Sequence, residues 1–425
     1  MKSSSSALRA CVALGLCLGI ILALPSCGGS SGGATPDTPS SSPQFSTFQA
    51  ASVVIGQSSF TTNSTGTSAT TLLHGPFGNP GVGSLFLSDY YNNRVLGYNT
   101  VPSSNGAAAD FVLGQPDFTS SSAGTSPTAM TGPQTAVVHD GKLLVLEYDN
   151  RRILIWNTKP TTTNAPADVV IGQADMTSSS GTCNDTNLAD PESFAIINGA
   201  LVVADSTHHR VLIWNTIPTS SGTPADKVIG QADFTQCSAN TGGRTASAFS
   251  FSYPTDIASI GGKLLVADFN NNRVLVWNSM PTCTPSPCAV TTPADMVLGQ
   301  ADFVSATVNS GGLSGASFNN PYYLATDGTR LAVADRGNHR VLIWNSMPTC
   351  TPTTPSSNCA ITTSASVVLG QPNFTSNASN NDGSGNSATP TDKNICDPTG
   401  LTFTTSNQLI AMDACNSRAL IFNAH

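Results

Sequence analysis

The residues of this 425-residue chain that could do chemistry are mostly acids and tyrosines that flank a series of recurring prolines. Carboxylates and phenol groups gathered in one place suit a sugar, a cationic peptide segment or Ca²⁺, because Ca²⁺ takes oxygen ligands. We therefore treat them as a candidate binding site that is acidic and aromatic. The candidates are Asp190, Glu192, Tyr253, Asp256, Asn320, Tyr322, Tyr323 and Asp397.

Familiar catalytic motifs are absent from the sequence. It contains no Gly-x-Ser-x-Gly elbow, no phosphate loop and no His-Glu-x-x-His. The stretch "NNDGSGN" (380–386) superficially resembles a calcium loop, but it lacks the alternating carboxylates and the final glutamate of such a loop. No catalytic residue is therefore assigned, and no cofactor is expected apart from the Ca²⁺ already considered.

Composition and charge narrow the class of protein. Charged residues make up 10% of the chain, the net charge is −8, and no basic run occurs. Phosphate binding needs clustered Lys and Arg, so nucleic acid is not an expected partner. Ser, Thr, Asn and Gly fill the polar positions, and Glu147 and Glu192 are the two glutamates in the sequence. This composition favours an all-β protein with many turns.

The N-terminus has the features of an export signal. Lys2 and Arg9 precede an apolar run at 10–24, which is short for a membrane span. The following "LPSC" (24–27) resembles the lipobox of bacterial lipoproteins, which implies that residues 1–26 are removed and Cys27 carries a lipid. A plain signal peptide cut near Ser26 is the alternative.

The segment after the signal, residues 27–50, is rich in Gly, Ser and Pro and has no apolar periodicity. Such composition predicts a flexible tether. We expect a protein anchored to the membrane through the lipid on Cys27, with the outer membrane or cell surface favoured because Gly28 follows the cysteine.

One phrase recurs six times along the rest of the chain. Its pattern is an acid, two variable residues, Asn or His, one residue, and Arg before two apolar residues. A Gly-Gln pair ending an apolar run also recurs six times, and a proline lies 13 to 15 residues before each acid. The six copies read "DYYNNRVLGYN" (89–99), "EYDNRRILIWN" (147–157), "DSTHHRVLIWN" (205–215), "DFNNNRVLVWN" (268–278), "DRGNHRVLIWN" (335–345) and "DACNSRALIFN" (413–423). Repeats of this length indicate a repeat architecture.

Each repeat unit reads as four short strands. In the fourth unit these are 254–260, 263–268, 273–278 and 294–300. Runs such as "VLIW" are apolar on both faces, as in sheets stacked against one another. Successive four-stranded sheets packed around an axis form a β-propeller. The predicted blades are about 76–115, 133–173, 191–231, 254–300, 321–371 and 398–423.

The order of the phrases predicts how the ring closes. The domain at 51–425 starts with a fourth-strand phrase at 51–57 and ends on a third strand. The N-terminal strand is therefore expected to complete the last blade, which removes the open sheet edges.

The repeated phrase resembles the NHL repeat, whose family members form six-bladed propellers. The resemblance covers residues 51–425, with departures at Glu147, where the pattern has Asp, and at His208, where it has Asn. It implies the fold but does not choose among binding modules, scaffolds and enzymes. Resemblance to propeller lyases keeps a zinc site of His74 with His208, His209 and His339 as a further possibility.

The acid and the arginine of each phrase are interpreted as structural. Five residues apart across a hairpin turn, they are expected to form a two-pronged hydrogen bond. The six pairs are Asp89 with Arg94, Glu147 with Arg152, Asp205 with Arg210, Asp268 with Arg273, Asp335 with Arg340, and Asp413 with Arg418.

Eight cysteines follow Cys27, and export permits disulfides. Sequence alone does not fix the pairing of eight cysteines. On the blade interpretation the neighbours are Cys183 with Cys237, Cys283 with Cys288, Cys350 with Cys359, and Cys396 with Cys415.

On the same interpretation the acids and tyrosines of the opening paragraph lie at one mouth of the central channel. We expect a non-enzymatic binding or scaffold module for a protein, peptide or glycan ligand, since loops on a rigid scaffold carry binding residues. Two alternatives stay open. One is a metal-dependent hydrolase or lyase at the channel mouth, and the other is a structural envelope component whose rim residues are ordinary polar turns.

Overall fold

The computed structural model describes residues 43–73, 84–243, 245–350, 359–381, 383 and 389–425, and the backbone of 76–77. The signal, Cys27, His74 and most of the predicted tether lie outside these residues. Residues Pro43–His425 form one compact unit. Among the described residues no helix has the length and apolarity needed to cross a membrane.

The described residues form six mainly antiparallel sheets, which are the blades of a propeller. Blade 6 begins with β1 (Val53–Ile55). Blade 1 holds β2 (Pro76–Phe77), β3 (Leu85–Asp89), β4 (Arg94–Tyr98) and β5 (Phe111–Leu113). Blade 2 holds β6 (Pro133–His139), β7 (Lys142–Glu147), β8 (Arg152–Trp156) and β9 (Val169–Ile171). Blade 3 holds β10 (Ser193–Ile197), β11 (Ala200–Asp205), β12 (Arg210–Trp214) and β13 (Lys227–Ile229).

Blade 4 holds β14 (Pro254–Ile260), β15 (Lys263–Asp268), β16 (Arg273–Trp277) and β18 (Met296–Leu298), and the short β17 (Cys288–Ala289) between β16 and β18 joins the sheet of blade 3. Blade 5 holds β19 (Pro321–Thr326), β20 (Leu331–Asp335), β21 (Arg340–Trp344) and β23 (Val367–Leu369), and the short β22 (Cys359–Ile361) between β21 and β23 joins the sheet of blade 4. Blade 6 ends with β24 (Pro398–Phe403), β25 (Gln408–Asp413) and β26 (Arg418–Asn423). A helical turn at Asn240–Gly243 and single 3₁₀ turns at Tyr90–Asn92, Phe269–Asn271, Arg336–Asn338 and Ala414–Asn416 complete the regular elements of the described residues.

The ring closes as the sequence predicts. Strand β1 pairs antiparallel with β26, so the first strand is the outermost strand of blade 6. The register places Val53 opposite Ile421 and Ile55 opposite Ala419. The all-β six-bladed propeller is thereby confirmed.

The cores lie between blades rather than within them. Leu201 and Val202 are successive residues of β11, and both are fully buried. Leu201 packs in a cluster with Leu144 and Ile153 of blade 2, whereas Val202 packs with Ile257 and Leu264 of blade 4. Each central strand therefore needs apolar residues at successive positions, which explains its non-alternating sequence.

The repeated phrase makes a similar network in every blade, shown here for blade 4; in blade 2 Asn150 and Arg152 donate to different oxygens of Glu147. Arg273 Nε donates to Asp268 Oδ2 at 2.8 Å, and Asn271 Nδ2 donates to the same oxygen at 2.8 Å. The other oxygen, Oδ1, accepts the backbone N–H of Ser252 at 2.7 Å. The terminal guanidinium nitrogens donate to carbonyls of the two flanking loops, including Ser250 O at 2.9 Å.

The predicted two-pronged hydrogen bond between acid and arginine is therefore wrong. The arginine reaches the acid through Nε alone, since its other nitrogens satisfy buried loop carbonyls. The substitution in blade 3 fits the same network, because His208 Nδ1 lies 2.9 Å from Asp205 Oδ2, where the other blades have an Asn amide. The acid and arginine are fully buried in all six pairs.

The outer edge of each blade is covered by the chain that precedes the fourth strand of the next blade. In blades 3 and 4 the cover is a fifth strand, because β17 pairs parallel with β13 and β22 pairs parallel with β18. The prediction of four strands per blade is therefore wrong for blades 3 and 4, whose sheets have five strands. Elsewhere single backbone hydrogen bonds do the same at Gly106 N to Val54 O, Asn164 N to Val112 O, Gly222 N to Val170 O, and Phe48 N to Val368 O.

Residues 43–50 belong to the folded domain, although the sequence suggests a tether up to residue 50. They occupy the position that the missing loop of blade 6 would take, and Phe48 covers the edge of blade 5. Phe45 is 4% exposed and lies under the guanidinium of Arg330, 4.9 Å from the ring centroid. The folded domain therefore begins at Pro43 rather than at Ala51.

The four disulfides have the expected pairing. Two of them close the loops that supply the fifth strands, and the other two join loops around blades 3 and 6. They are Cys183–Cys237, Cys283–Cys288, Cys350–Cys359 and Cys396–Cys415, with Cα–Cα distances of 6.3, 6.1, 5.8 and 5.9 Å. Disulfides persist in oxidising compartments, so the four bonds indicate that this chain is exported to an oxidising environment.

Candidate binding site at the channel mouth

A cavity of about 490 Å³ opens at the face that carries the turns between second and third strands. These turns and the loops entering the first strands supply its walls, and the described lining residues come from blades 1, 2, 3, 5 and 6. Volumes of this size are typical of small-molecule sites. The described lining residues are Leu73, Tyr90, Tyr91, Gln134, Tyr148, Glu192, Tyr322, Arg336, Asp397, Thr399, Ala414 and Cys415.

Glu192, just before β10, forms the floor of this cavity and is 4% exposed. Tyr322 Oη donates to its Oε2 at 2.5 Å, and Tyr253 Oη donates to its Oε1 at 2.8 Å. Burial raises the pKa of Glu192, and the two phenol hydrogen bonds offset part of that rise. One carboxylate of blade 3 is therefore held by tyrosines from blades 4 and 5.

The phenol hydrogen bonds form a chain with a defined direction. Tyr148 Oη lies 3.1 Å from Tyr253 Oη. A phenol has one proton, and Tyr253 gives its own to the Glu192 carboxylate, so Tyr148 must donate to Tyr253. The chain Tyr148 to Tyr253 to Glu192 thus aims every one of these protons towards the carboxylate.

Arg336 and Asp397 form an ion pair on the opposite wall. Arg336 Nε donates to Asp397 Oδ1 at 2.7 Å, and a terminal nitrogen donates to Oδ2 at 3.1 Å. The guanidinium also lies over the ring of Tyr322, 4.8 Å from its centroid. A cation over a phenol face is attracted by the ring quadrupole.

Aromatic rings line much of the mouth. Tyr90 packs edge-to-face against Tyr91 at 4.8 Å and against Tyr148 at 6.3 Å between centroids. Tyr91 is 60% exposed, so its ring is accessible at the edge of the cavity. Six of the seven tyrosines of the chain lie at the mouth or inside the channel: Tyr90, Tyr91, Tyr148, Tyr253, Tyr322 and Tyr323.

Gln134 carries a polar atom without a partner. Its side chain lines the cavity and is 3% exposed, and its Oε1 has no hydrogen-bond partner among the described residues. Buried acceptors are normally satisfied, so an unpaired one needs an explanation. A bound donor group would supply the missing hydrogen bond.

A second cavity of about 230 Å³ is lined by residues of the first strands of blades 2 to 6. Asp256 and Tyr323 face it, and Tyr323 Oη makes a short hydrogen bond with Thr135 Oγ1. Asp256 Oδ2 accepts the backbone N–H of Leu324 at 2.6 Å. Burial raises the pKa of Asp256 to about 7.

Two of the sequence-derived candidates tie blades together instead of lining the cavity. Asp190 accepts a hydrogen bond from Arg151 Nε at 2.9 Å. The backbone N–H of Asn320 donates to Asn272 Oδ1 at 2.8 Å, and its amide donates to Phe269 O at 3.3 Å. The structure thus brings Glu192, Tyr253, Tyr322 and Asp397 together at the mouth, places Asp256 and Tyr323 deeper, and leaves Asp190 and Asn320 beside the site.

Tyr90, Tyr148 and Arg336 were missed by sequence reasoning, although a signal for them exists. They occupy the first variable position after the acid of the repeated phrase, which the network of blade contacts does not constrain. Across the six copies this position holds Tyr90, Tyr148, Ser206, Phe269, Arg336 and Ala414. Gln134 directly follows a recurring proline, as Glu192 and Tyr322 do, but it was missed because the search was confined to acids, tyrosines and Asn320.

The two carboxylates at the mouth are already hydrogen-bonded to side chains of this chain, so a metal ion would have to replace those hydrogen bonds. Asp397 is held by Arg336, and Glu192 by two phenols. Among the described residues the one close group of His, Cys and acids is Cys183, His208 and Cys237, whose two sulfurs form a disulfide. The suggested zinc ligand His74 lies outside the described residues, whereas His339 Nδ1 donates to the carbonyl oxygen of Cys396.

The fold, the six copies of the phrase and the network that each copy makes define a six-bladed β-propeller built from six similar repeats. The NHL repeat family model matches residues 251–277, which span β14 to β16 of blade 4. The predicted resemblance to NHL propellers is thereby confirmed.

Two solved structures illustrate the wider likeness. The WD40 β-propeller domain of Doa1 is 9% identical, with 90% of this chain and 96% of that chain covered and a TM-score of 0.43. Hydrazine synthase of Kuenenia stuttgartiensis is 11% identical, with 83% and 96% covered and a TM-score of 0.48. No curated protein sequence matches this chain.

Proposed function

We propose that this chain is an exported binding module of the bacterial envelope, held to a membrane by a lipid on Cys27, with its ligand site at the tyrosine-lined channel mouth. The NHL-type propeller supports a binding or scaffold role in general. The disulfides support an exported protein, and the "LPSC" sequence supports the anchor.

The observation that carries the proposal is the make-up of the mouth. Three features coincide there: an exposed aromatic at Tyr91, a buried carboxylate at Glu192, and an unpaired buried acceptor at Gln134. The propeller scaffold needs none of them, since its blades are held by the repeated acid and arginine network. Rigid loops that carry aromatic and unsatisfied polar groups are typical of a binding site.

The partner is proposed to be a protein, peptide or glycan. Nucleic acid is not proposed, because the chain carries a net charge of −8 and the described lining residues of the mouth include Glu192 and Asp397 against Arg336 as their one cation. No catalytic residue is proposed, since the carboxylates of the mouth are engaged by phenols and by Arg336.

The site is tested by probing glycan and peptide arrays with the purified protein and with Tyr91→Ser. Phe249→Ser is the matched control, because Phe249 is also an exposed aromatic (49%) but does not line the cavity. We expect Tyr91→Ser to weaken binding at least about tenfold, within the range of an aromatic hot spot, and Phe249→Ser to leave it unchanged. Ligands that bind both variants equally, or arrays without a ligand, would overturn the assignment of the site.

The anchor is tested separately in cells. Cys27→Ser should move the protein from the membrane fraction to the soluble fraction and remove the lipid detected by mass spectrometry. A wild-type protein that is already soluble after export would refute the anchor and leave the binding site untouched.

A further inference from the structure

We infer that the chemical group bound at the mouth is a primary ammonium on an aliphatic stem, with Glu192 as its counter-charge and Gln134 as a hydrogen-bond acceptor. This inference rests on the proposed function and specifies its ligand.

The first argument is charge. Among the described residues Glu192 forms no ion pair, whereas Asp397 is neutralised by the fork of Arg336. The two phenol donors favour the ionised form of Glu192, and Glu192, Asp397 and Arg336 then carry a net charge of −1 at a nearly buried position. A buried charge without a partner is destabilising, and a bound cation would relieve this.

The second argument is the balance of donors and acceptors. The phenol protons of Tyr253 and Tyr322 go to Glu192, and the guanidinium donates to Asp397. The unpaired atom is an acceptor, Gln134 Oε1. A ligand that only donates fits this surplus of acceptors, and an ammonium has three donors and no acceptor.

The third argument is the aromatic wall. Phenol faces attract cations, and the structure already contains one such contact, between Arg336 and the ring of Tyr322. Tyr90, Tyr91 and Tyr148 offer further rings on the other side of the cavity. An aliphatic stem packs against such rings while its ammonium reaches the floor.

The cavity is large enough for this ligand. Its volume of about 490 Å³ exceeds that of one alkylammonium chain and leaves room for the group that carries it. The ammonium could belong to a lysine of a protein or to a free amine. Both share the chemistry that the site recognises, so the experiment separates them.

Calorimetric titration of the purified protein tests the inference with three probes. These are Nα-acetyl-lysine methylamide, its Nε-acetylated form, and 1,5-diaminopentane. We expect at least one amine to bind and the acetylated form to bind at least about tenfold more weakly, because acetylation removes the charge. Preference for the lysine derivative indicates a protein source, and preference for the diamine indicates a free amine.

Variants locate the group. Glu192→Gln is expected to weaken amine binding at least about tenfold, and Gln134→Leu by a smaller factor, as is usual for a charged and a neutral hydrogen bond respectively. Asp190→Asn is the matched control, because Asp190 is an acid of the same face that lies outside the cavity lining. Circular dichroism checks that each variant is folded. If Glu192→Gln does not fold, Gln134→Leu tests the site in its place.

Failure of this inference can be told apart from failure of the proposed function. Equal binding of the acetylated probe, or amine binding that survives both variants, overturns the ammonium. If neither amine binds but an array ligand without an amine depends on Tyr91, the mouth is still a binding site and its ligand is of another class. If no ligand depends on Tyr91, the proposed function fails as well.

Discussion

Tyr322 of blade 5 and Glu192 of blade 3 meet across the channel, where the phenol donates to the carboxylate at 2.5 Å. Neither residue belongs to the repeated phrase, and 130 residues separate them in sequence. Removing this hydrogen bond by Tyr322→Phe should lower the free energy of unfolding by about 1.5–3 kcal/mol, the usual range for a bond to a charged group.

Tyr148→Phe is the matched control for that change. It removes the hydrogen bond between two neutral phenols, Tyr148 and Tyr253, and should cost about 0.5–1.5 kcal/mol. Urea denaturation measures both variants. Equal losses in the two would show that the charge of Glu192 adds nothing to its bond with Tyr322.

The buried pair of Asp268 and Arg273 predicts a large effect in a single blade. Arg273→Met should lower the free energy of unfolding by about 3–5 kcal/mol, because it leaves the fully buried Asp268 without its cation. Arg151→Met breaks a partly exposed pair with Asp190 and should cost less than about 1 kcal/mol. Chemical denaturation of the two variants compares them, and a small loss in Arg273→Met would contradict a structural role of the phrase.

Asp256 predicts a dependence of stability on pH. Its pKa is about 7 in the folded chain against an ordinary value of 3.8, so between these values the folded state holds a proton that the unfolded state has released. The free energy of unfolding should therefore fall as pH rises from about 4 to 7. Asp256→Asn keeps an acceptor for Leu324 N and removes this loss.

The expected gain of Asp256→Asn is almost nothing at pH 4 and up to about 4 kcal/mol at pH 8, at about 1.4 kcal/mol for each unit of pKa. Urea denaturation of variant and wild type at pH 4, 6 and 8 gives the difference directly. A difference that stays constant with pH would show that Asp256 is ionised throughout.

The N-terminal segment predicts that Phe45 is a core residue. Phe45→Ala should lower the free energy of unfolding by about 3–5 kcal/mol, as for other buried phenylalanines. Phe249→Ala, at a half-exposed ring, should change it by less than about 0.5 kcal/mol. Thermal or chemical denaturation distinguishes them, and equal effects would return residues 43–50 to the tether.

The fold was predictable because the same physical requirement recurs in every blade. Each hairpin needs an acid, an amide and an arginine to satisfy the same loop groups, and the repeated phrase records this need six times. Closure was predictable as well, because a lone fourth strand at Val53–Ile55 has one place to pair.

The mouth was predictable in part. Glu192, Tyr253, Tyr322 and Asp397 were found because acids and tyrosines near the recurring prolines are not explained by the blades. Arg336 and Gln134 also occupy recurring positions, after the acid and after the proline, but their contacts with Asp397 and with the cavity depend on how the blades pack together. The parallel strands β17 and β22 were missed for the same reason, since each pairs with a sheet other than its own.

The two ends of the folded domain lie side by side. The backbone N–H of Gln44 donates to His425 O at 2.7 Å, and the N–H of His425 donates to Gln44 O at 2.9 Å. A short peptide could therefore join the ends, and new ends could be opened at the corresponding loop of any other blade. The folded propeller does not depend on which blade comes first in the sequence, and we expect a circularly permuted chain to fold into the same structure.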